Sequence, residues 1–349
     1  MSRLNPFAAV LLAVAALLMA CATEGAAPRD AGPAPTADDL PVGTAGAEQM
    51  TAPLTGESVD DAEVANRPVV AVKVENSPAG RPQSGLDAAD VVFEELTEGG
   101  VTRFVALFQS RIPQLVGPIR SARPEDAELV PAYDAMLFIS GARPDVLTSL
   151  RSAGVPFVTE DGEVLWRDRN RMRPHNLFAR GEALFAAAAD AVPPASPTGW
   201  SYASEPPDGA VPCGEGCTQD PGLSITVEMS HASMTGFAYD ADAGLHRRLQ
   251  DGSPHVITGD DRIGAANVVV LAVEIGDGGC CDASGNPLTR TRTVGTGRAV
   301  ILRDGQRYPA SWMKPGPDRH YRFTGPDDQP FPLKPGPTWL VLAPTAGVP

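Results

Sequence analysis

Val91-Val92-Phe93-Glu94-Glu95-Leu96-Thr97-Glu98-Gly99-Gly100-Val101-Thr102-Arg103-Phe104-Val105-Ala106-Leu107-Phe108 is the stretch that decides the fold. Two runs rich in β-branched and aromatic residues flank a glycine pair, and glycine supplies the backbone freedom of a tight turn. A β-hairpin follows, with Arg103 set across from Glu94, Glu95 and Glu98. Upstream, the β-branched run from Pro68 to Val74 predicts a buried strand that ends in Glu75-Asn76-Ser77-Pro78. Downstream, Pro124 suits the start of a helix over Glu125 to Tyr133. Ala135 to Ile139 predicts a strand, Pro144 to Ser152 a helix, and Val155–Val158 and Val164–Trp166 short strands. An alanine-rich helix from Gly181 to Ala191 is stopped by Val192-Pro193-Pro194. Strands alternating with helices predict an α/β N-terminal domain over residues 55–192.

Residues 193–221 are rich in Pro and Gly and read as a connection. Beyond them the helical period disappears. Leu223–Met229, Asn267–Ile275, Thr291–Leu302, Gln306–Met313 and Trp339–Leu342 are strand-like, with turn signals at Asp251-Gly252, Asp277-Gly278-Gly279 and Asp304-Gly305. A smaller β-rich C-terminal domain is expected over residues 222–345.

The chain has 349 residues, 43% of them hydrophobic, which suffices for two ordinary domains. Its net charge of −15 disfavours nucleic acid as a partner and non-specific binding to an anionic surface. Lysine occurs only at Lys73, Lys314 and Lys334, so the positive charge is almost wholly guanidinium. Between residues 101 and 180 there are 11 Arg against 9 acidic residues, a local +2 that leaves −17 for the rest of the −15 chain. A positive region in a negative molecule favours a small anion over a polyanion.

At the amino terminus, Arg3 precedes an apolar run from Phe7 to Leu18 that is too short to span a membrane comfortably. Leu18-Met19-Ala20-Cys21 resembles the lipobox of bacterial lipoproteins. The resemblance implies that residues 1–20 are a signal peptide and that Cys21 carries diacylglycerol and an acylated amino group. Several acyl chains make a stable anchor where one does not, so the expected address is the extracytoplasmic side of the cell membrane. Residues 21–54 are mostly Ala, Pro, Gly, Thr and acidic residues and read as a disordered tether. Export makes Cys213, Cys217, Cys280 and Cys281 a disulfide set with three connectivities. A Cys280–Cys281 bridge is strained, which favours bonding each of them to one of Cys213 and Cys217. Adjacent cysteines also suit zinc poorly.

Arg120 and Arg123 flank Ser121 just before a helix start, a competent place for phosphate or carboxylate. Arg167, Arg169, Arg171 and Arg173 alternate, so an extended segment would point all four one way. His175, beside Asn176, is the candidate for proton transfer. Against these stands a purely structural alternative, in which the arginines pair with Glu94, Glu95, Glu98, Asp126 and Asp168. Asp90 and the three glutamates offer oxygens for Mg²⁺ or Ca²⁺ but in no EF-hand pattern. Ser121 lacks a nucleophile elbow, and there is no P-loop, dinucleotide fingerprint or zincin motif. His231, His246, His255 and His320 show no ligand spacing and are expected at the surface or in structural roles.

Longer motifs go further. Asn76…Arg81-Pro82-Gln83-Ser84-Gly85-Leu86…Ala89-Asp90-Val91-Val92, Glu98 to Phe104, Gly117-Pro118-Ile119-Arg120-Ser121-Ala122-Arg123-Pro124 and Pro174-His175-Asn176 resemble the YerB-like lipoprotein family. So do Phe237-Ala238-Tyr239-Asp240, Gly295-Thr296-Gly297-Arg298-Ala299 and Pro335-Gly336-Pro337-Thr338-Trp339. The resemblance implies an α/β amino-terminal domain, a smaller second domain and a lipid anchor. Ile139-Ser140-Gly141-Ala142 departs from the family's His-Ala-Gly-Gly, which removes a histidine from that strand end. The expected function is an accessory protein that binds an anionic envelope ligand, such as a cell-wall precursor, or a wall-synthesis protein. Arg103, Arg120, Ser121, Arg123, Arg167, Arg171 and Asn176 would contribute, without an obligatory cofactor. The alternative is an envelope phosphoryl-transfer or hydrolytic enzyme. It rests on a residue order similar to the LytR–CpsA–Psr phosphotransferases, with His175 or Asp90 assisting and Mg²⁺ possible.

Overall fold

The computed structural model describes residues 50–211, 217–218, 224–259, 261–282 and 285–348. Cys21 and Cys213 lie outside the described residues, and of Cys217 only the backbone is described.

Helix α1 (Ala62–Ala65) leads into strand β1 (Val70–Glu75), buried along its whole length. The expected hairpin is formed by β2 (Val91–Leu96) and β3 (Thr102–Phe108), joined by a single 3₁₀ turn over Glu98–Gly100. Gly99 and Gly100 both have positive φ, at 70° and 74°, which explains the glycine pair. Next come α2 (Asp126–Leu129), β4 (Met136–Phe138), α3 (Pro144–Ser152) and β5 (Phe157–Val158). The helix expected over Glu125 to Tyr133 is therefore split. Pro131 has no N–H to continue the α ladder, and a 3₁₀ turn over Pro131–Tyr133 takes over. A small ladder, β6 (Trp166–Arg167) and β7 (Leu177–Phe178), precedes α4 (Gly181–Ala188).

The second half adds β8 (Cys217–Thr218), β9 (Ser224–Ser230), β10 (Ser233–Asp240), β11 (Leu245–Gln250), β12 (Ser253–Pro254) and β13 (Gly264–Ala265), which form one sheet. Then follow β14 (Asn267–Val273), a hairpin of β15 (Ile275–Cys281) and β16 (Pro287–Thr291), β17 (Gly295–Arg303), β18 (Gln306–Lys314), β19 (Arg322–Thr324) and β20 (Thr338–Pro344).

The main sheet has ten strands in the order β19-β18-β17-β14-β20-β2-β3-β1-β4-β5, five from each half of the chain. The halves join at β2 and β20, which run parallel with Val91 opposite Thr338 and Glu94 opposite Val341. The molecule is two-domain and strand-rich. Its longest amino-terminal helices, α3 and α4, have 9 and 8 residues, so this half has less helix than the α/β expectation required.

Side-chain alternation sorts the core onto the two faces of the sheet. Val70, Val72, Val74 and Phe104 pack toward α4 and the second sheet, with Leu184, Ile225 and Phe237. Ala71, Phe93, Val105 and Leu107 pack toward α2 and α3, with Leu129 and Leu150. Glu94 and Glu95 are consecutive on β2, so they must point to opposite faces.

Candidate functional site

Each of those two glutamates is buried and paired on its own side. Glu95 reaches Lys73, which also donates to Asp126 at 2.7 Å. Burial, with Asp126 and Glu125 nearby, raises Glu95 above the usual carboxylate range against the pull of Lys73. Glu94 accepts from Arg248 Nη2 at 2.6 Å, Thr235 Oγ1 at 2.6 Å and Thr102 Oγ1 at 2.9 Å. The Arg248 guanidinium lies over the rings of Phe104 and Trp339, 5.1 and 5.4 Å from their centroids. His255 receives Arg248 Nη1 on Nδ1 at 2.5 Å, and its Nε2 donates to Gln83 Oε1 at 2.8 Å. Burial and the Arg248 charge pull its pKa down to about 2, so it is a neutral link in a polar core. His246, fully buried, is likewise pulled down to about 3 by desolvation.

On the other side of the sheet, the arginines of the Gly117–Pro124 segment open onto a cleft of about 750 Å³. Arg103 is 8% exposed and donates Nη1 to the Ser121 carbonyl at 2.9 Å. It has no ion pair among the described residues. Desolvation, then the charges of Arg123 and Arg120, lower its pKa to about 9, so it stays charged at neutral pH. Arg123 is gripped by Glu98, with Nη2–Oε2 at 2.6 Å and Nε–Oε1 at 2.5 Å. Burial alone would raise the Glu98 carboxyl, but hydrogen bonds and charge from Arg123, with Arg103 adding, hold it below its ordinary value. Ser121 and Ser140 hydroxyls sit 3.2 Å apart on the wall. At the rim, Arg143 pairs with Asp145 at 2.9 Å and Arg290 with Glu128. Helix α2 offers no free donors in its first turn, because the N–H groups of Asp126, Ala127 and Glu128 already donate to the carbonyls of Arg123, Pro124 and Glu125 at 3.0, 3.2 and 2.8 Å.

The remaining sequence candidates lie elsewhere. Between β6 and β7 the chain turns instead of extending, so the four alternating arginines diverge. Arg167 pairs with Glu160 and donates to Asn176 Oδ1 at 2.8 Å. Asn176 pins the turn by donating to the carbonyls of Asp168 and Arg171 at 2.9 and 3.1 Å. Arg171 stacks over Phe178 and donates to the carbonyls of Pro82 and Gly80 at 3.1 and 2.9 Å. His175 lines a separate cleft of about 570 Å³ with Arg81, Arg171 and Arg173. Its Nδ1 lies 2.9 Å from both oxygens of Glu75, a partner sequence reasoning missed. Glu75's only local signal is its place at the end of a strand that is apolar but for Lys73. Arg120 reaches the same carboxylate at 3.5 Å.

Asp90 lines neither cleft. It is fully buried and accepts the N–H groups of Gln109 and Ser110 at 2.6 and 2.8 Å, with the Ser110 hydroxyl also bound. That makes it a tie between loop and strand, out of reach of a substrate. Cys280 and Cys281 are exposed free thiols with Sγ atoms 3.3 Å apart. Their expected partners' side chains lie outside the described residues. Among the described residues, no group of three or more His, Cys, Asp or Glu is placed to hold a metal ion, and no helix is long and apolar enough to cross a membrane.

A two-domain organisation is also what comparison with known proteins finds. The N-terminal domain of DUF3048, described as a protein of unknown function, matches residues 54–194, and its C-terminal domain matches residues 225–340. The chain belongs to this two-domain, YerB-like family. It is 29% identical over 301 residues to "Putative lipoprotein YerB" of Bacillus subtilis strain 168, covering 78% of this chain and 88% of that one. A crystal structure of the YerB protein from Bacillus subtilis matches with a TM-score of 0.70 at 25% identity, covering 84% of this chain and 96% of the other.

Proposed function

We propose that the chain is a lipid-anchored extracytoplasmic accessory protein. Its 750 Å³ cleft would take the anionic group of an envelope ligand or of a wall-synthesis partner. One observation carries the reading: the Arg103 guanidinium is buried at this cleft without a carboxylate of its own. Arg120 and Arg123 stand close enough to depress its pKa. Arg123, Arg143 and Arg290 are matched by Glu98, Asp145 and Glu128, whereas Arg120 shares Glu75 with His175. Crowded, desolvated positive charge is unfavourable, and an incoming oxyanion relieves it. The lipoprotein name of the relative and the Leu18–Cys21 motif support the address.

The test is a thermal-shift series on the detergent-solubilised full-length protein with inorganic phosphate, polyprenyl phosphates and cell-wall fragments. At least one of them raises the melting temperature of the wild type and not of Arg103→Met. No response to any, or the same response in both proteins, overturns the proposal.

A further inference from the structure

The smaller cleft differs from the larger in one respect: no carboxylate lines it. Its wall consists of Ala79, Arg81, Pro82, Arg171, Met172, Arg173 and His175, within a chain of net charge −15. Carboxylates outside the wall pair with two of the arginines. Asp251 lies 3.5 Å from Arg81, and Glu160 lies 3.9 Å from Arg173, whose side chain is 74% exposed. Arg171 stacks on Phe178 and donates only to backbone carbonyls, so no acid among the described residues neutralises it.

The histidine is held in a fixed orientation. A carboxylate accepts hydrogen bonds and cannot donate them, so the contact between Nδ1 and Glu75 puts the proton on Nδ1. Nε2 is then the ring atom left for a ligand. Glu75 is itself fixed, since Ser77 Oγ donates to Oε1 at 2.6 Å. A Cβ on Gly80 would fall 2.5 Å from Glu75 Cγ, so only glycine leaves room for the carboxylate there. Segments that are distant in sequence, ending at Ser77, Arg120 and His175, thus meet on one buried acid.

We propose that the cleft between residues 79–82 and 171–175 is a second oxyanion site, separate from the Arg103 cleft, that takes the phosphate of a phosphomonoester. Arg81, Arg171 and Arg173 supply the charge. His175 Nε2, positioned by Glu75, supplies the directed hydrogen bond. Met172, 82% exposed on the rim, contacts the organic part of the ester.

The experiment is a titration of the detergent-solubilised full-length protein, ¹⁵N-labelled at histidine, with inorganic phosphate and with phenyl phosphate. The His175 Nε2 resonance moves saturably while Nδ1, held by Glu75, stays nearly in place. Phenyl phosphate binds several-fold more tightly than phosphate, and Met172→Ser removes that difference. Arg81→Ala with Arg173→Ala weakens both ligands at least ten-fold. Neither arginine holds the loop through more than exposed or backbone contacts, so the fold survives, and an unchanged histidine spectrum in the ligand-free variant verifies this. Arg103→Met leaves the His175 response intact, which separates this proposal from the one above. An Nε2 signal that does not move, or that moves equally in the double variant, overturns the assignment.

Discussion

Replacing Arg103 with Met removes a charge while keeping most of the side-chain length. In the folded protein burial, and secondarily Arg123 and Arg120, pull the guanidinium pKa down to about 9, some three and a half units below its ordinary value. At about 1.4 kcal/mol per unit, keeping it charged costs on the order of 5 kcal/mol. Met removes that cost but also the hydrogen bond to the Ser121 carbonyl, which contributes roughly 1.5–3 kcal/mol for a charged donor. The ligand-free variant therefore gains about 2 kcal/mol, a rise of roughly 3 °C in Tm for a chain of this size. The same change weakens anion binding about ten- to 150-fold, the equivalent of one charge-assisted hydrogen bond. Differential scanning calorimetry and isothermal titration with the anion selected by the thermal-shift series measure both quantities. A protein that trades stability for a site shows opposite signs in the two. A variant that melts lower than wild type and still binds the anion refutes the reasoning, because Arg103 is then a structural cation.

Three further outcomes follow from the buried groups and the amino terminus. Glu94→Gln strands Arg248 without its carboxylate and lowers stability by about 3–5 kcal/mol in urea denaturation, and Arg248→Met in the same chain restores most of the loss. His255 resists protonation in the folded state, with its pKa held at about 2 by burial and Arg248, whereas the unfolded chain takes up that proton near pH 6.5. Its contribution is thus complete above pH 6.5 and declines by about 1.4 kcal/mol per unit as the pH falls. Because raised carboxylates such as Glu95 act in the opposite direction, the readout is the difference between proteins. His255→Gln has a shallower decline than wild type between pH 6 and 4, and parallel curves contradict the burial argument. Cys21→Ser moves the protein from the detergent phase to the aqueous phase in a cloud-point partition of cell extracts, and unchanged partition removes the lipid anchor.

The local features were legible because their information is local. The β2–β3 hairpin needs only two runs rich in β-branched and aromatic residues and a turn with positive φ, and Val91 to Phe108 contains both. Arg103 opposite Glu95 follows from that register alone. Arg120, Ser121 and Arg123 share one wall because they sit within four residues of one another, whereas Arg103 joins them only through the fold, by its hydrogen bond to the Ser121 carbonyl. Tertiary structure decided the rest. Nothing in the order of residues indicates that β20 closes the sheet against β2, or that Glu94 is paired by Arg248, 154 positions away. Such pairings depend on which long-range packing minimises the free energy of the whole chain, and a period-two pattern is compatible with many partners. The Arg167–Arg173 run shows the same limit on a smaller scale. Its alternation suits a strand, but Asn176 captures the carbonyls of Asp168 and Arg171 and bends the segment into a turn. Composition and pattern determined the strands and the hairpin, whereas the meeting of Glu75, Arg120 and His175 exists only once the sheet is assembled.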